Sequence, residues 1–533
     1  MRHVFDRKAA LLLTDKRFAT RLLGVTLLIA AAGGSLLLAH AKRTSGALQA
    51  LALGYAPQGG SASIDVKYPL PETVFPQAVP PPRFFWADTA KDNRRWVIRL
   101  LMGDRKTPLI VPTKTPFWTP SRAQWDNIQK VLREAPVSMS VLGVSLEGRP
   151  RITSAAAELT LRGSSDPVDG VLFYREVKPP FLSASEDLSR VRWRCGSISN
   201  PSPPVVLANP VVCGNCHSFS RDGRWMGMDF DYRGDKSAYA IVPTQGRMDV
   251  QADQLIHWDT YASPERFSTT GLASQVSPDG RYVVASIKEL FVSLPINTVA
   301  QSLIFFPIKG ILVVYDREQK TIRALPGADN PAYVQCNPAW SPDGRQIVFA
   351  RADAVDAPVP PSSFFLSPRD GWAFMRTHKE YRYDLYTIPF NEGRGGPAQP
   401  LRGASRNGMS NSFPKYSPDG RWIVFCQAKN YLFLQPDSQL YIVPAEGGEA
   451  RKMRCNLKGM NSWHSWSPNG RWLVFTSNAF SPYTQLFLTH IDQEGNSSPA
   501  VALPHLTDPE WAINVPEFMA SDAPVIERIT LKF

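Results

Sequence analysis

The chain has 533 residues, of which 43% are hydrophobic and 20% are charged, so its composition is that of a folded globular protein and not of a disordered one. Its formal net charge of +12 arises from lysines and arginines that are scattered along the sequence. Because no basic stripe with interleaved aromatic residues is present, we expect no nucleic-acid partner. The 47 prolines and 14 tryptophans favour a loop-rich β protein over a helical one.

The N-terminus has the pattern of a membrane anchor or an export signal. Residues 1–21 are basic, and an uncharged, apolar stretch follows at Leu22–Ala39. This stretch is just long enough to cross a bilayer, and the charges before it predict that residues 1–21 stay in the cytoplasm. We therefore expect a transmembrane helix over residues 22–41 that anchors the chain in the inner membrane, with the rest in the periplasm. The alternative is a signal peptide cleaved at Ala39-His40-Ala41, which leads to the same compartment.

Two segments are predicted after this anchor. Residues 42–83 are rich in prolines and small polar residues, which indicates a semi-rigid, extended linker. Residues 84–165 alternate short apolar runs with polar turns, a pattern similar to a small β-sandwich of the fibronectin type III kind. One amphipathic helix is expected within this sandwich at residues 121–134, with Ser121 as its N-cap. We expect the sandwich to act as a spacer or docking module.

Five repeats follow, and they decide the expected fold. Each repeat has an S-x-D-G-R or S-x-N-G-R sequence between two apolar runs, and the turn serines are Ser220, Ser277, Ser341, Ser417 and Ser467. Asp-Gly and Asn-Gly suit tight turns in which the backbone φ is positive, so each repeat predicts a β-hairpin. A third strand follows downstream in every repeat, and a fourth in most. A four-stranded unit that recurs in this way is a propeller blade.

The sequence also predicts how the ring of blades closes. Residues 513–518, INVPEF, resemble the innermost strand of a blade but lack the Asp-Gly turn. The apolar runs at residues 171–177 and 191–195 have no hairpin of their own and would complete that blade. Pairing the two ends of the domain removes exposed sheet edges. We therefore expect an all-β protein with a six-bladed β-propeller over residues 166–533, with seven blades as the alternative.

These repeats resemble the TolB-like, WD-repeat-like (PD40-type) propellers of bacterial envelopes. The stretches that carry the resemblance include QVSPDGRYVV, FPKYSPDGRWIVFCQAKN, LYIVPAEGGEARK and NSWHSWSPNGRWLVF, and it covers about residues 170–533. The stretch CGNCHSFSRDGRW is similar to a subgroup in which a haem motif lies within the propeller. The resemblance implies the fold but assigns no activity.

The sequence Cys213-Gly214-Asn215-Cys216-His217 matches the C-x-x-C-H pattern of c-type haem attachment. In such a site the thiols of Cys213 and Cys216 add across the two haem vinyl groups, and His217 is the proximal ligand of the iron. We therefore expect one covalent haem c per chain. A disulfide or redox-active C-x-x-C is the alternative, although the βαβ context of a thioredoxin is missing. A zinc site would need a second ligand pair at similar spacing, and the sequence has none.

His464 is the candidate for the second axial ligand. It lies five residues before Asn469 of its hairpin, just as His217 lies five residues before Asp222. In the ring described above, the closing blade alone separates these two blades, so both imidazoles could face the central channel. The alternatives are that His464 is a hydrogen-bonded channel residue, or that a methionine binds the iron, the candidates being Met226, Met228, Met409 and Met460.

The other four cysteines, Cys195, Cys336, Cys426 and Cys455, have no motif spacing. Export makes disulfides between them possible, but sequence alone cannot assign the pairs. Cys426 lies in the apolar run WIVFC and is expected to be a buried small side chain.

Three functions are compatible with these features. The first is a membrane-tethered periplasmic haem protein that transfers or senses electrons, with an unknown redox or envelope protein as its partner. Two axial side chains would favour electron transfer over catalysis, because they leave no open site on the iron for a substrate. The second is a TolB-like binding scaffold in which the C-x-x-C pair is structural. The third is a haem enzyme of peroxidase-like type with an open distal face. We expect an electron carrier or binding protein rather than an enzyme, because the sequence has no G-x-S-x-G, H-E-x-x-H or P-loop motif.

Overall fold

The structure is a computed structural model, and it describes residues 44–56, 63–77, 79–90, 93–104, 107–181, 183–232, 235–261, 269–296, 303–357 and 363–533. The transmembrane segment expected at residues 22–41 lies outside these ranges. Within them, no helix combines the length and the hydropathy that crossing a membrane requires. The chain divides into two compact units.

The first unit contains the described parts of residues 1–68, 84–118 and 137–159. Its strands form two antiparallel groups, because short apolar runs alternate with polar turns. One group is Ile64–Tyr68, Phe84–Asp88 and Phe117–Trp118, and the other is Leu109–Thr113, Arg95–Met102, Val137–Ser145 and Arg151–Ala155. The rings of Trp86 and Trp96, one from each group, lie 6.5 Å apart. The kinship of this unit with fibronectin type III modules stays a prediction.

The segment expected to be an extended linker, residues 42–83, contains regular structure. Residues 44–53 are helical, and their Leu48 and Ala52 pack against Val97 and Leu142 of the first unit. The strand Ile64–Tyr68 follows because the sequence IDVKY buries its two end residues. The proline content of the segment therefore did not prevent helix and strand formation where apolar side chains find a core.

The helix expected at residues 121–134 is confirmed and spans Arg122–Leu132. Ser121 and Gln124 form a capping box at its start. Within the second unit, Trp125 is buried on this helix and donates its indole N–H to the Val79 carbonyl at 2.9 Å. The strand Thr73–Phe75 runs parallel to residues 161–163 of the strand Leu159–Gly163.

Most of the second unit is built from antiparallel sheets of four strands, six of which are formed by the described residues; the second and third are joined into one eight-stranded sheet by a parallel pairing of Gly310 with Val334. We number them along the chain and give their strands from the innermost outward. Sheet 1 is Gly214–Phe219, Trp225–Tyr232, Asp235–Pro243 and Leu255–Ile256; sheet 2 is Gln275–Val276, Tyr282–Pro295, Leu303–Asp316 and Thr321–Ala324; sheet 3 is Tyr333–Trp340, Gln346–Asp353, Asp384–Pro389 and Gln399–Pro400; sheet 4 is Ser410–Tyr416, Trp422–Ala428, Gln439–Pro444 and Arg451–Lys452; sheet 5 is Asn461–Trp466, Trp472–Ser477, Gln485–His490 and Val501–Ala502; sheet 6 is Ala512–Met519, Val171–Val177, Val191–Gly196 and Val205–Ala208.

A few elements lie between these sheets. The C-terminal strand Arg528–Lys532 pairs in parallel with Arg247–Gln251. Helices of α type are Ser183–Glu186 and Pro368–Thr377. Short 3₁₀ turns are Leu188–Arg190, Ala252–Gln254, Trp258–Thr260, Asn391–Gly393 and Pro504–Leu506.

The pairing predicted for the closing sheet is confirmed. In sheet 6 the C-terminal strand Ala512–Met519 pairs with Val171–Val177, which in turn pairs with Val191–Gly196. Two ends of the domain separated by more than 300 residues therefore share one sheet. This is the arrangement of a β-propeller, in which four-stranded sheets are placed radially and one of them combines strands from both ends of the domain.

The hairpin turns of sheets 1–5 follow from the repeated serine, aspartate or asparagine, and glycine. In sheet 2, the Ser277 hydroxyl accepts from the Tyr282 backbone N–H, and the Asp279 carboxylate accepts from the Arg281 N–H. The turn glycines have positive φ in all five hairpins: Gly223 (68°), Gly280 (74°), Gly344 (71°), Gly420 (75°) and Gly470 (68°). A side chain at these positions would be strained, which explains why glycine recurs.

Two of these glycines allow a direct test of how sheets pack. A Cβ at Gly280 would lie 2.2 Å from Cδ1 of Trp225 in sheet 1, whereas a Cβ at Gly420 would meet nothing closer than 3.4 Å. We expect Gly420→Ala to lower the free energy of unfolding by about 1–2 kcal/mol, from backbone strain alone. Gly280→Ala should lower the free energy of unfolding by about 1–3 kcal/mol more than Gly420→Ala does, because the added Cβ would also overpack against Trp225. Urea unfolding of both variants measures this difference, and equal losses would contradict the close packing of Trp225.

Candidate functional site

The innermost strands of all six sheets line one central cavity of about 410 Å³. This volume lies within the range of small-molecule sites. Each strand contributes a residue at the corresponding position, and these residues are Cys216, Ala273, Asn337, Phe413, Trp463 and Val515. The C-x-x-C-H motif therefore opens onto the axis that all six sheets share.

Irregular backbone brings these residues to the cavity. In sheets 2–6 the contributing residue has a positive φ of 42–61°, which is rare for residues with a side chain. A β-bulge accompanies it in sheets 3–6, where the register shifts beside the residue. Cys216 is the exception, since it is not among the residues of positive φ. Its own bulge lies between Gly214 and His217, one residue earlier than in sheet 5.

Asp229 holds the bulge of sheet 1. Its Oδ1 accepts hydrogen bonds from the backbone N–H groups of Asn215 at 2.5 Å and Cys216 at 3.0 Å. A bulge removes such groups from the strand ladder, so the carboxylate replaces their missing partners. Burial raises the pKa of Asp229 to about 7. Asp229 was not among the residues predicted from the sequence. The feature that could have marked it is the presence of an acidic residue inside the otherwise apolar run WMGMDF.

His217 is fully buried, and neither of its ring nitrogens forms a hydrogen bond within the described part of the chain. The ring packs edge-on against Phe173 of sheet 6, with centroids 4.6 Å apart. Burial lowers the pKa of His217 to about 3, and it outweighs the opposing effect of the nearby backbone groups of Phe173 and Val515, neither of which is in hydrogen-bonding geometry with the ring. The imidazole is therefore neutral, the form that binds metals. Buried polar atoms without partners are unusual and call for an explanation.

His464 also borders the cavity, but its ring nitrogens have neighbours. Its Nε2 lies 3.0 Å from the Val424 carbonyl, and its Nδ1 lies 3.9 Å from the Cys426 sulfur. The residue sits inside the bulge of sheet 5, whereas His217 is regularly paired with Met228. The two histidines thus share a sequence offset and a cavity but differ in register. Iron ligation by His464 stays a prediction that requires the ring to leave the Val424 carbonyl.

The remaining candidate residues take other places. No disulfide joins the cysteines in the described part of the chain, and Cys426 is buried as expected. Cys213 and Cys216 border the cavity, and burial raises the pKa of the Cys216 thiol. None of the methionines considered as ligands is among the described residues that line the cavity. In the described part of the chain, no group of three or more His, Cys, Asp or Glu side chains is arranged to hold a metal ion.

One wall of the cavity is aromatic. Phe305 comes from the long hairpin of sheet 2 and stacks on Phe291 at 4.6 Å. It also contacts Phe365 and Phe433, at 6.2 Å and 5.6 Å, and Phe433 contacts Phe413. Aromatic surfaces of this size favour a flat, largely apolar ligand.

The polar side of the cavity contains three charged residues among those described, Arg175, Lys415 and Glu517. Lys415 and Glu517 form an ion pair at 2.5 Å, and Glu517 also accepts from the Ser465 hydroxyl at 2.8 Å. Arg175 has no ion-pair or hydrogen-bond partner in the described residues, although it is only 7% exposed. Arg175 was not among the residues predicted from the sequence. The feature that could have marked it is the presence of a basic residue inside the largely apolar run VLFYREV.

A second buried acid, Glu289, supports the cavity wall. It accepts hydrogen bonds from the hydroxyls of Thr269 and Thr270 and from the Thr270 backbone N–H at 3.1 Å. Thr270 itself lines the cavity. Burial raises the pKa of Glu289, an effect that exceeds the opposing hydrogen bonds.

Comparison with known proteins gives fold-level likeness only. No protein-family model matches the chain, and no curated protein matches it. Among solved structures, TolB from Acinetobacter baumannii is similar with a TM-score of 0.40 and 12% identity, over 72% of this chain and 79% of that one. An oligogalacturonate lyase from Vibrio parahaemolyticus has a TM-score of 0.32 and 14% identity, over 62% and 71%. A puromycin-hydrolyzing peptidase from Mycobacterium tuberculosis has a TM-score of 0.33 and 11% identity, over 71% and 53%.

The raised pKa of Glu289 predicts a specific pH dependence of stability. A carboxyl whose pKa is higher in the folded state binds more protons there, so its contribution to stability is lost as pH rises. We expect Glu289→Gln, which keeps the shape and an acceptor oxygen, to gain stability relative to the parent protein from about pH 4.5 upward. Urea unfolding from pH 4 to pH 8 measures the difference.

A control with the opposite sign is available in sheet 2. Burial would raise the pKa of Asp316, but hydrogen bonds from Arg281 and the backbone outweigh it and lower the pKa. Asp316→Asn should therefore lose most stability at neutral pH and less as pH falls toward 3. Parallel curves for the Glu289→Gln variant and the parent protein would refute the assigned effect of burial.

Proposed function

We propose that this chain is a c-type haem protein whose haem is attached to Cys213 and Cys216 and held by His217. The observation that carries the proposal is the state of His217, a buried neutral imidazole whose two nitrogens form no hydrogen bond within the described residues and which follows the two cysteines of the motif. A bound iron would give one of these nitrogens a partner. The aromatic wall around Phe305 suits the flat apolar faces of a porphyrin.

The residues present suit covalent attachment. Each thiol would add across one vinyl group, with the sulfur bonding to one carbon and the hydrogen going to its neighbour, so that the atoms balance without another reactant. The hydrogen bonds from Asn215 and Cys216 to Asp229 would hold the motif in place while both thiols react. When bound, the haem supplies an iron that changes between ferrous and ferric forms.

The wider setting is proposed from the sequence. The six sheets are taken as the blades of one closed ring, which surrounds the haem and offers its rims to an unknown redox or envelope protein. The basic residues 1–21 and the apolar residues 22–41 would anchor the chain in the inner membrane, or direct its export, with the propeller in the periplasm. The function would then be electron transfer or redox sensing, with the first unit as a spacer or docking module.

Haem content is the first prediction to test. Protein purified from a host with c-type haem maturation should contain about one covalent haem per chain, because both thiols and His217 border the same cavity. A pyridine haemochrome spectrum of the denatured protein measures this.

Cys213→Ala/Cys216→Ala should abolish the signal, while Cys426→Ala, a buried cysteine outside the motif, should retain it. A haem-free parent protein under these conditions would refute the proposal and leave a TolB-like binding scaffold.

The second axial ligand is tested by His464→Ala. For the electron-transfer function we expect a low-spin, six-coordinate spectrum in the parent protein and a high-spin spectrum that responds to carbon monoxide in the variant. Trp463→Phe, which alters the adjacent cavity residue without removing a ligand, should stay low-spin.

A second candidate function is favoured by the contact between His464 Nε2 and the Val424 carbonyl at 3.0 Å. If this contact persists, His217 would be the one axial side chain, and the open face would permit peroxidase-like chemistry. A parent spectrum that is already high-spin and unchanged in His464→Ala would support this candidate and contradict ligation by His464.

A further inference from the structure

Arg175 stands out among the buried charges of the second unit. It lies on the second strand of sheet 6, faces the cavity and is 7% exposed. Its Nε has no hydrogen-bond acceptor, and the guanidinium forms no ion pair with any described residue. The buried Asp229 of sheet 1 interacts with Arg175 through charge, but its Oδ2 also has no hydrogen-bond partner among the described residues, so the two groups do not satisfy each other. A buried cation without a hydrogen-bonded counter-charge is costly, so proteins usually pair it.

Two arginines on the adjacent strand differ from Arg175 because each has an ion-pair partner. Arg192 and Arg194, on the adjacent strand, both donate to the fully buried Glu176, with Arg194 at 2.8 Å. Arg175 has instead the face of Trp193, whose ring centre lies 5.6 Å from the guanidinium carbon. This contact is a cation–π interaction, but it gives the guanidinium N–H groups no oxygen acceptor and so does not replace a hydrogen-bonded partner.

A second unpartnered group lies directly opposite. Asn514 on the innermost strand of sheet 6 is the register partner of Arg175, and both border the cavity. Its Oδ1 also has no hydrogen-bond donor, although the residue is 7% exposed. Directly opposed residues on antiparallel strands bring their side chains within reach of one ligand group.

The charge of the cavity indicates what that group is. Lys415 and Glu517 neutralise each other, which leaves Arg175 as the one charged lining residue among those described that has no ion pair. A guanidinium binds a carboxylate through two parallel hydrogen bonds, and the Asn514 side-chain N–H can donate beside it when the amide is turned so that Nδ2, and not Oδ1, faces the ligand. The rest of the lining is mainly aromatic and aliphatic, which suits the apolar body of an organic acid.

We propose that Arg175 and Asn514 form a carboxylate-binding site inside the central cavity. The carboxylate has two possible sources: a propionate of the haem proposed above, in which case the inference rests on that function, or a free organic acid, in which case it does not. The shared chemistry is a carboxylate attached to an apolar body.

The experiment uses the full chain in two forms, the haem-loaded protein and the haem-free Cys213→Ser/Cys216→Ser variant. Titration calorimetry with benzoate and octanoate, and with the neutral benzamide and octanamide, measures binding to each. The haem-free form should bind the acids and not the amides, and Arg175→Gln should weaken acid binding at least tenfold, since a hydrogen bond to a charged group is lost. Arg224→Gln, at an exposed arginine, should bind as the parent does.

The haem-loaded form distinguishes the two sources. If a propionate occupies the site, the loaded protein should not bind the acids, and Arg175→Gln should move the reduction midpoint to a more negative value, because removal of a nearby cation favours ferric iron. If a free acid is the ligand, the loaded protein should bind it as the haem-free form does.

Thermal unfolding of each variant verifies folding, and Arg175→Lys, which keeps the charge, serves if Arg175→Gln does not fold. The inference is overturned if the haem-free protein binds no acid and the midpoint is unchanged in the substituted protein. If the parent protein never acquires haem, the proposed function fails, but the calorimetric result still decides whether the carboxylate site exists.

Discussion

The antiparallel pairing of Ala512–Met519 with Val171–Val177 is the constraint on which the second unit depends. Without it, sheets 2, 3 and 4 alone would connect the innermost strand of sheet 1 to that of sheet 5, and the cavity would be an open cleft. The same pairing places Phe173 against His217 and sets Arg175 opposite Asn514. Pairing of the two ends of the domain and assembly of the site therefore depend on the same sheet, since sheet 6 supplies both.

Some of the buried polar side chains around the cavity have hydrogen-bond partners, and others do not. Lys415 and Ser465 both bond to Glu517, and Asp229 accepts from the motif backbone through Oδ1, while its Oδ2 has no partner in the described residues. His217 and Arg175, by comparison, are buried without hydrogen-bond partners in the described residues. Because unpaired buried polar groups destabilise a fold, the presence of both residues in the lining of one cavity is best explained by a ligand that supplies the partners. A haem with an iron and a carboxylate would serve both residues.

Backbone register separates two histidines that the sequence presents as equivalent. His217 and His464 each lie five residues before the turn aspartate or asparagine. In sheet 1 the bulge precedes His217, and in sheet 5 it includes His464. A one-residue displacement of a bulge redirects side chains, so His464 reaches the Val424 carbonyl whereas His217 meets Phe173. This difference bears directly on whether the iron would have one axial side chain or two.

The sequence by itself determined the repeated hairpins, the closing pairing of sheet 6, the helix capped by Ser121 and the residues of the C-x-x-C-H motif. Each depends on local patterns: turn glycines with positive φ, alternation of apolar residues, or fixed spacing. It did not reveal helix and strand within residues 44–83, nor the roles of Asp229, Arg175 and Glu289. Those roles arise from contacts between strands distant in the chain, and burial decides which charged group has a partner. Tertiary structure alone decided them, because desolvation and hydrogen-bond geometry are properties of neighbours in space.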